Sequence, residues 1–378
     1  MVKEEIKENN SIISMRAVVL TGYGGLGKLE YKESYPAPNV GEKDVLIQVG
    51  ACALNNTDIN LRVGWYEANN KSGITYDVVK NGIQDMNTNL GTWDQKKVKF
   101  PLIQGASIAG TIVAVGSEIS NERIGERVVV DPIIRDMKLP LYGRGVQYLG
   151  SERDGGYADY VSVHAENAIK VNSNSSFVTL STLPCAYQTA EEMQIRANVK
   201  RNDVVMVTGA SGGVGLANVQ LAKLRGAQVI AISSRSKKET VLEHGADQVL
   251  TREDGDIGEQ LKATIGERGA TVVLDVVGGE DFSELCNILD RAGRLSTAGA
   301  LVGSIVNIDL RDLIYKDLQY FGVIFPEPGA LNNLVNYIES GRLKPIVHEV
   351  FPLQELREAQ LSFASKNYVG KIVIDMGN

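Results

Sequence analysis

The segment Val204-Val-Met-Val-Thr-Gly-Ala-Ser-Gly-Gly-Val-Gly215 is an apolar run closed by a glycine-rich turn, and the chain continues as an amphipathic helix that stops at Gly226. Set on the G-x-G-x-x-G spacing, the three key positions are Ala210, Gly212 and Gly215. Gly212 lets backbone approach a pyrophosphate, and Gly215 lets the helix pack closely on the strand. The helix start then offers N–H groups and a partial positive charge through Ala210, Ser211, Gly212, Gly213, Val214 and Gly215. A turn in this setting predicts nucleotide binding, with a turn that serves packing alone or a flavin site on the same fold as the alternatives.

About twenty residues farther on, an NAD site carries Asp or Glu for the ribose hydroxyls. This chain has Ser233-Ser-Arg-Ser-Lys-Lys238 there, with no carboxylate to repel a 2′-phosphate. Ser233 and Ser234 can donate hydrogen bonds, Arg235 offers a planar bidentate partner, and Lys237 and Lys238 add charge. At least one of these lysines is expected merely to solvate a helix start. The cofactor predicted is NADPH.

The other reactive side chains exclude more than they suggest. Cys52, Cys185 and Cys286 are far apart with no CxxC spacing, which argues against a disulfide framework or a cysteine-rich zinc knuckle and fits a reducing compartment. His164, His244 and His348 lack partners at ligand spacing. A formal charge of -7 disfavours a nucleic-acid grip, and no apolar run approaches the roughly 20 residues of a membrane span. The expectation is a cytoplasmic protein that meets small molecules, not nucleic acid or membrane.

Positioning these residues takes two kinds of element. From 15 to 171 short β-type runs (16–20, 44–49, 108–115, 127–130 and 157–163) alternate with Gly and Pro, the pattern of a small closed or partly open barrel. From 172 to 325 strands at 204–207, 229–232, 248–250, 271–274, 294–297 and 320–324 alternate with helices, which predicts a doubly wound, six-stranded parallel sheet. The first pattern returns at 326–378, so the β-rich domain is discontinuous. Residues 1–14 read as a loose extension. Residues 67–100 are too long for a routine connection and read as a lid or a disordered excursion, with Tyr76 and Trp93 favouring some packing. The fold class is α/β.

With Gly209-Ala-Ser-Gly-Gly-Val-Gly215 and the ending Val369-Gly-Lys-Ile-Val373 in view, the chain from Met15 onward resembles the medium-chain dehydrogenase/reductases, and within them the zinc-free quinone oxidoreductase branch. The resemblance implies a GroES-like catalytic domain, a Rossmann domain, an active site between them and a dimer or tetramer. It also places zinc ligands at Asn55 of Asn55-Asn-Thr-Asp58, at Ala106 and Ser107, and at Cys185; only the last can bind zinc, so no metal is expected. By the same resemblance Val276, Gly299 and Phe325 line the nicotinamide half, with Lys371 and Thr189 beside the cofactor.

The segment Arg62-Val-Gly-Trp-Tyr66 also matches zinc-free relatives. With no metal to polarise it, the substrate must be electrophilic already or be met by hydrogen-bond donors. Asn55 and Tyr66 are expected to donate to the substrate oxygen while hydride passes from NADPH to a quinone or an α,β-unsaturated carbonyl. Metal-free reduction of a ketone or acyl thioester, or the corresponding alcohol oxidation, is the enzyme alternative, and a non-catalytic NADPH-binding redox sensor is the other. The apolar runs 300–306 and 308–310 suggest an extra edge strand through which a homodimer forms.

Overall fold

The computed structural model describes residues 14–66, 73–83, 97–136, 139 and 145–377. The anticipated extension at 1–14 lies outside these apart from Ser14, as do most of 67–100, including Trp93.

The β-rich half opens with β1 (Ser14–Leu20), antiparallel to β2 (Leu29–Pro36). Its larger sheet is built on β3 (Asp44–Ala53), followed by the short helix α1 (Asn56–Val63), then β4 (Ser107–Val115), β5 (Arg127–Val130) and β6 (Tyr160–His164). Both β4 and β6 pair antiparallel with β3, and inward residues such as Val45, Ile47, Ile108, Ile112, Val128 and Val161 share one core.

Helix α2 (Gln188–Arg196) leads into the second half. There β7 (Val204–Val207), helix α3 (Gly213–Leu224), β8 (Gln228–Ile232), β9 (Gln248–Leu250), β10 (Ala270–Asp275), β11 (Leu289–Thr297) and β12 (Gln319–Gly322) follow in turn. The strands form a six-stranded sheet in the order β9-β8-β7-β10-β11-β12, every pair parallel. Helices cover both faces, so even the central strand β7 is buried throughout: Val205 and Val207 enter one core, Val204 and Met206 the other.

Helix α4 (Ala330–Glu339) leads back to the first half through β13 (Val347–Pro352), helix α5 (Leu356–Ser365) and β14 (Lys371–Asp375). Strand β14 pairs antiparallel with β3, Val373 opposite Ala53, and thereby carries Lys371 into the space between the halves.

Two expectations change. The run 300–310 is not a strand: 301–309 has only the bridge Gly278–Gly303, and a helix spans Leu310–Tyr315. The last strand of the sheet is instead β12, which pairs with β11. Within 67–100, residues 76–81 form a helix whose Val79 is buried in the first core, while Tyr76 stays 49% exposed. No helix among the described residues is long and apolar enough to cross a membrane.

Candidate active site

The cleft between the halves holds a cavity of about 460 Å³. Its Rossmann wall is mostly backbone. Gly212 is extended (φ -77°, ψ 170°) and caps α3, and its carbonyl accepts from Leu216 N–H at 2.8 Å. A Cβ on Gly215 would stand 2.1 Å from the Gly209 carbonyl oxygen, so the close crossing of turn and helix requires glycine there. A Cβ on Gly212 would meet nothing nearer than 3.4 Å, which leaves this face open to a ligand. Ser211, Gly213 and Val214 line the cavity with these glycines, whereas Ala210 is buried and ties the turn to the sheet through Ala210 N–H to Ile232 O at 3.2 Å.

Buried Asp275 fixes the strand ends beside this turn. It accepts from Thr208 Oγ1 at 2.6 Å, from Val277 and Gly278 N–H at 3.1 Å each, and from Thr297 Oγ1 at 3.2 Å. Val276 and Gly299 are thereby set on the cavity wall, and Thr189 of α2 joins them. Phe325 instead packs against the cluster of Ala106, Ile133, Val146 and Tyr148. The open turn, the donor-rich helix start and the firm strand ends fit a nicotinamide dinucleotide.

An adjoining cavity of about 270 Å³ holds Ser233 and Ser234, and Gly209 borders both. Ser233 Oγ is buried there without a hydrogen-bond partner among the described residues. The expectation that no carboxylate stands near this point needs correction, because the loop after β9 brings Glu253 and Asp254 to it. The Arg235 guanidinium pairs with the Asp254 carboxylate and donates to the Glu253 carbonyl at 3.4 Å. Lys238 opens a helix and lines neither cavity; its neighbour Lys237 lines the large one.

The opposite wall is made of side chains. Lys371, 3% exposed, sends its ammonium to the Leu54 carbonyl and to Asn55 Oδ1, the latter at 2.6 Å. Asn55 Nδ2 donates to Ala53 O at 3.0 Å and to Ser107 Oγ at 2.9 Å, and Ser107 Oγ donates onward to Pro184 O at 2.8 Å. Both amide hydrogens of Asn55 are therefore taken, and its oxygen must face the lysine because an ammonium only donates. Asn55 holds Lys371 in place and has no spare N–H for a substrate, contrary to the sequence-based expectation.

Asp58 anchors the same turn, accepting from Asn55 N–H at 2.8 Å and from the Tyr157 hydroxyl at 2.9 Å. Burial raises its carboxyl to about 6. Burial also lowers the Lys371 ammonium, for which no carboxylate among the described residues lies within salt-bridge distance.

Tyr66 reaches the cavity because Gly64 (φ 78°) ends α1 and turns the chain. Its hydroxyl bonds the Asn60 side chain, burial pushes its pKa up, and Trp65 stands edge-on to it at 5.7 Å. Behind α1, fully buried Arg62 donates to Gln360 Oε1, Gly24 O and Val79 O at 3.0, 2.8 and 2.9 Å, locking the turn to α5 and to the 76–81 helix.

Cys185 lines the cavity in an unusual conformation for a non-glycine residue (φ 57°, ψ -78°). Its thiol bonds the Tyr148 hydroxyl, and burial raises its pKa. One thiol beside a saturated amide and the methyl of Ala106 does not fit zinc, which takes three or four N, S or O ligands. Among the described residues no group of three His, Cys, Asp or Glu is placed to hold a metal.

Sequence reading missed Tyr148, Glu253 and Lys366, whereas Lys237 was named there together with Lys238. Only Lys366 left a trace, as a lysine just past a helix end, where glycine is usual.

Two family models match, one described as an alcohol dehydrogenase GroES-like domain over 41–173 and one as a zinc-binding dehydrogenase over 213–340. A crystal structure of a candidate alcohol dehydrogenase from Sinorhizobium meliloti 1021 is 41% identical, covers 97% of this chain and 98% of its own, and superposes with a TM-score of 0.87. The acryloyl-coenzyme A reductase of Sulfurisphaera tokodaii is 27% identical over 95% of this chain and 99% of its own. Human quinone oxidoreductase is 26% identical over 91% of this chain and 92% of its own.

Proposed function

The chain belongs to the medium-chain dehydrogenase/reductase superfamily of oxidoreductases, and we propose that it reduces a quinone or an α,β-unsaturated carbonyl with NADPH and without a metal ion. The observation that carries this reading is the Lys371 ammonium, held in the cleft by Asn55 and Leu54 with no carboxylate within salt-bridge distance among the described residues. A buried cation whose carboxylate neighbour, Asp58, acts on it only from beyond salt-bridge distance is stabilised further by negative charge that arrives during the reaction. An ammonium has three N–H donors, so one remains for an oxygen on which charge develops.

NADPH supplies the hydride when bound. Lys371 and the Tyr66 hydroxyl orient the substrate oxygen, Asn55 positions Lys371, and Trp65 forms an apolar wall that excludes water. Because its raised pKa keeps Tyr66 protonated at neutral pH, the residue donates a hydrogen bond to that oxygen, and Tyr66 or water delivers the proton. Ser233, Ser234 and Arg235 at the end of β8 support NADPH over NADH, with Arg235 turning from its pairing with Asp254 to meet a 2′-phosphate. Likeness to both a quinone oxidoreductase and an acryloyl-coenzyme A reductase supports conjugated acceptors, conjugated acyl thioesters included.

The test follows NADPH and NADH oxidation by absorbance, with and without chelator, across quinones, enones, ketones and aldehydes. Quinone or enone turnover that prefers NADPH and ignores chelator is expected. Carbonyl reduction with the C=C retained would select the simple ketone reductase instead, binding without turnover a sensor, and loss of activity to chelator would overturn the metal-free reading.

We also propose a cytoplasmic homodimer through the face around 300–324. Val302, Ile305, Leu310, Ile314, Tyr315 and Ile324 are 58–67% exposed there, large apolar side chains that a partner surface would cover. Light scattering should give twice the chain mass at micromolar concentration; a monomer mass would sink the dimer.

A further inference from the structure

The cleft cavity has a polar wall at Lys371 and Asn55 and an apolar one at Trp65, Ile74, Ala300 and Leu301. Ile74 belongs to residues 73–83, a described part of the long connection that follows Tyr66, and hydride transfer as derived so far gives it no role. This segment is firmly held at one end. Its 76–81 helix buries Val79 in the first core, Thr75 caps it by accepting from Val78 N–H at 3.3 Å, and buried Arg62 donates to the Val79 carbonyl at 2.9 Å. Gly82 (φ 80°) then ends the helix against the turn after β1, where a Cβ would lie 2.6 Å from the Gly24 carbonyl carbon.

At its other end the segment crosses to the Rossmann half. A Cβ on Gly73 would stand 2.4 Å from the Leu301 carbonyl oxygen and 2.7 Å from that of Val302, so backbone lies directly on backbone and only glycine fits without displacing one of them. The loop it rests on is tied down in turn: Val302 N–H donates to Val277 O at 3.0 Å, and Gly279 N–H donates to Gly303 O at 3.1 Å. Ile74 and Leu301 reach the same cavity from opposite halves, and this one contact sets them relative to each other. A cavity of about 460 Å³ that also contains the glycine turn has to hold the nicotinamide half and the acceptor together. Little room is left for the acceptor, and the part of it away from Lys371 is left chiefly apolar side chains.

We propose that residues 73 and 74 form the wall that sets the size of the acceptor, so that the chain takes compact conjugated acceptors, a single-ring quinone or a short-chain enone, and refuses those with a long alkyl substituent. This rests on the reading that the chain reduces conjugated acceptors. Ile74 is the specificity-determining side chain, and Gly73 is the positioning residue that lets it sit against the Rossmann loop.

The experiment measures NADPH-dependent kcat/KM for methyl vinyl ketone and for enones bearing a butyl or a hexyl group on the β-carbon, in wild type, I74A, I74F and G73A. Wild type should lose about tenfold or more from the vinyl to the hexyl compound. I74A should raise the hexyl-to-vinyl ratio about tenfold and I74F should lower it by a similar factor, since a few methylenes in an apolar pocket discriminate on that scale. G73A, whose added Cβ pushes the segment off Leu301, should move the ratio in the direction of I74A. NADPH affinity by calorimetry should stay within about twofold of wild type in all three, which excludes loss of folding as the cause. Calorimetric binding of saturated amides of the same chain lengths to the NADPH complex repeats the ratios without hydride transfer. Ratios within about twofold of wild type in both I74A and I74F would overturn the wall, as would a wild type that handles the hexyl and vinyl compounds equally. Wild type that reduces none of the enones would remove the conjugated-acceptor reading, while the amide ratios would still decide the wall.

Discussion

The two walls of the cleft recognise their ligands by different means. The Rossmann wall works through backbone: glycines at 212 and 215, a helix start, and strand ends pinned by Asp275. The opposite wall works through side chains that are distant in sequence, with Ser107 52 residues and Lys371 316 residues from Asn55. A backbone site tolerates almost any side chain that fits the fold but no Cβ at the crossing. A side-chain site tolerates fold changes poorly and depends on each polar group keeping its partner.

That contrast can be broken at either wall. On the side-chain wall, K371M should lower kcat about 100-fold or more while the dinucleotide Kd stays within about fivefold, and K371R should not rescue it, since a planar guanidinium cannot replace a point donor. Stopped-flow hydride transfer checks this, and a change confined to Kd would move Lys371 into cofactor binding alone. On the backbone wall, G215A should raise the dinucleotide Kd about 100-fold by calorimetry, because its Cβ would press on the Gly209 carbonyl. Retained affinity would mean the turn relaxes more freely than its contacts indicate.

Smaller effects sharpen the comparison. Y66F should slow turnover about tenfold or more if the hydroxyl meets the substrate, and less than about threefold if the ring only packs. D254N should raise the NADPH to NADH preference about threefold to fivefold, measured as a ratio of kcat/KM, because it frees Arg235 from the pairing seen here.

A pH series tests Lys366, which lines the cleft. Desolvation in the cleft, then repulsion from Lys237, lowers the Lys366 ammonium to about 8. The groups facing it are Lys237, the Asn56 amide and the Phe363 ring, none of them acidic. Phosphate favours the charged lysine, so dinucleotide affinity should be flat below about 8 and fall as pH rises past it. K366Q should show a shallower fall over that range.

Legibility in the sequence followed the same division. Strands such as Arg127–Val130, Val204–Val207 and Gln248–Leu250 could be read to the residue, since short runs of buried β-branched side chains between turn residues leave few alternatives. The glycine turn was legible because its chemistry is local. The 300–310 run was misread because apolar composition does not separate a paired strand from an exposed face. The saturation of Asn55 was invisible because two of its partners, Ser107 and Lys371, and Pro184 behind Ser107, meet it only in three dimensions. The carboxylates near Arg235 escaped notice for a similar reason, arriving from the loop after the next strand.

The pairing of β14 with β3 also sets a schedule for biosynthesis. Asn55 and Lys371 are 316 residues apart, roughly 15 to 60 s of translation at ordinary rates. The six parallel strands of the nucleotide-binding half are complete well before Lys371 emerges, so that half can fold on the ribosome while the β3 edge waits for its last neighbour. Nascent chains stalled after 325 should show a protease-resistant second half beside a digestible first half. The Lys371–Asn55 pair therefore exists only after residue 371 has emerged, and a chain made only to the end of the parallel sheet can hold a cofactor fold without the means to use it.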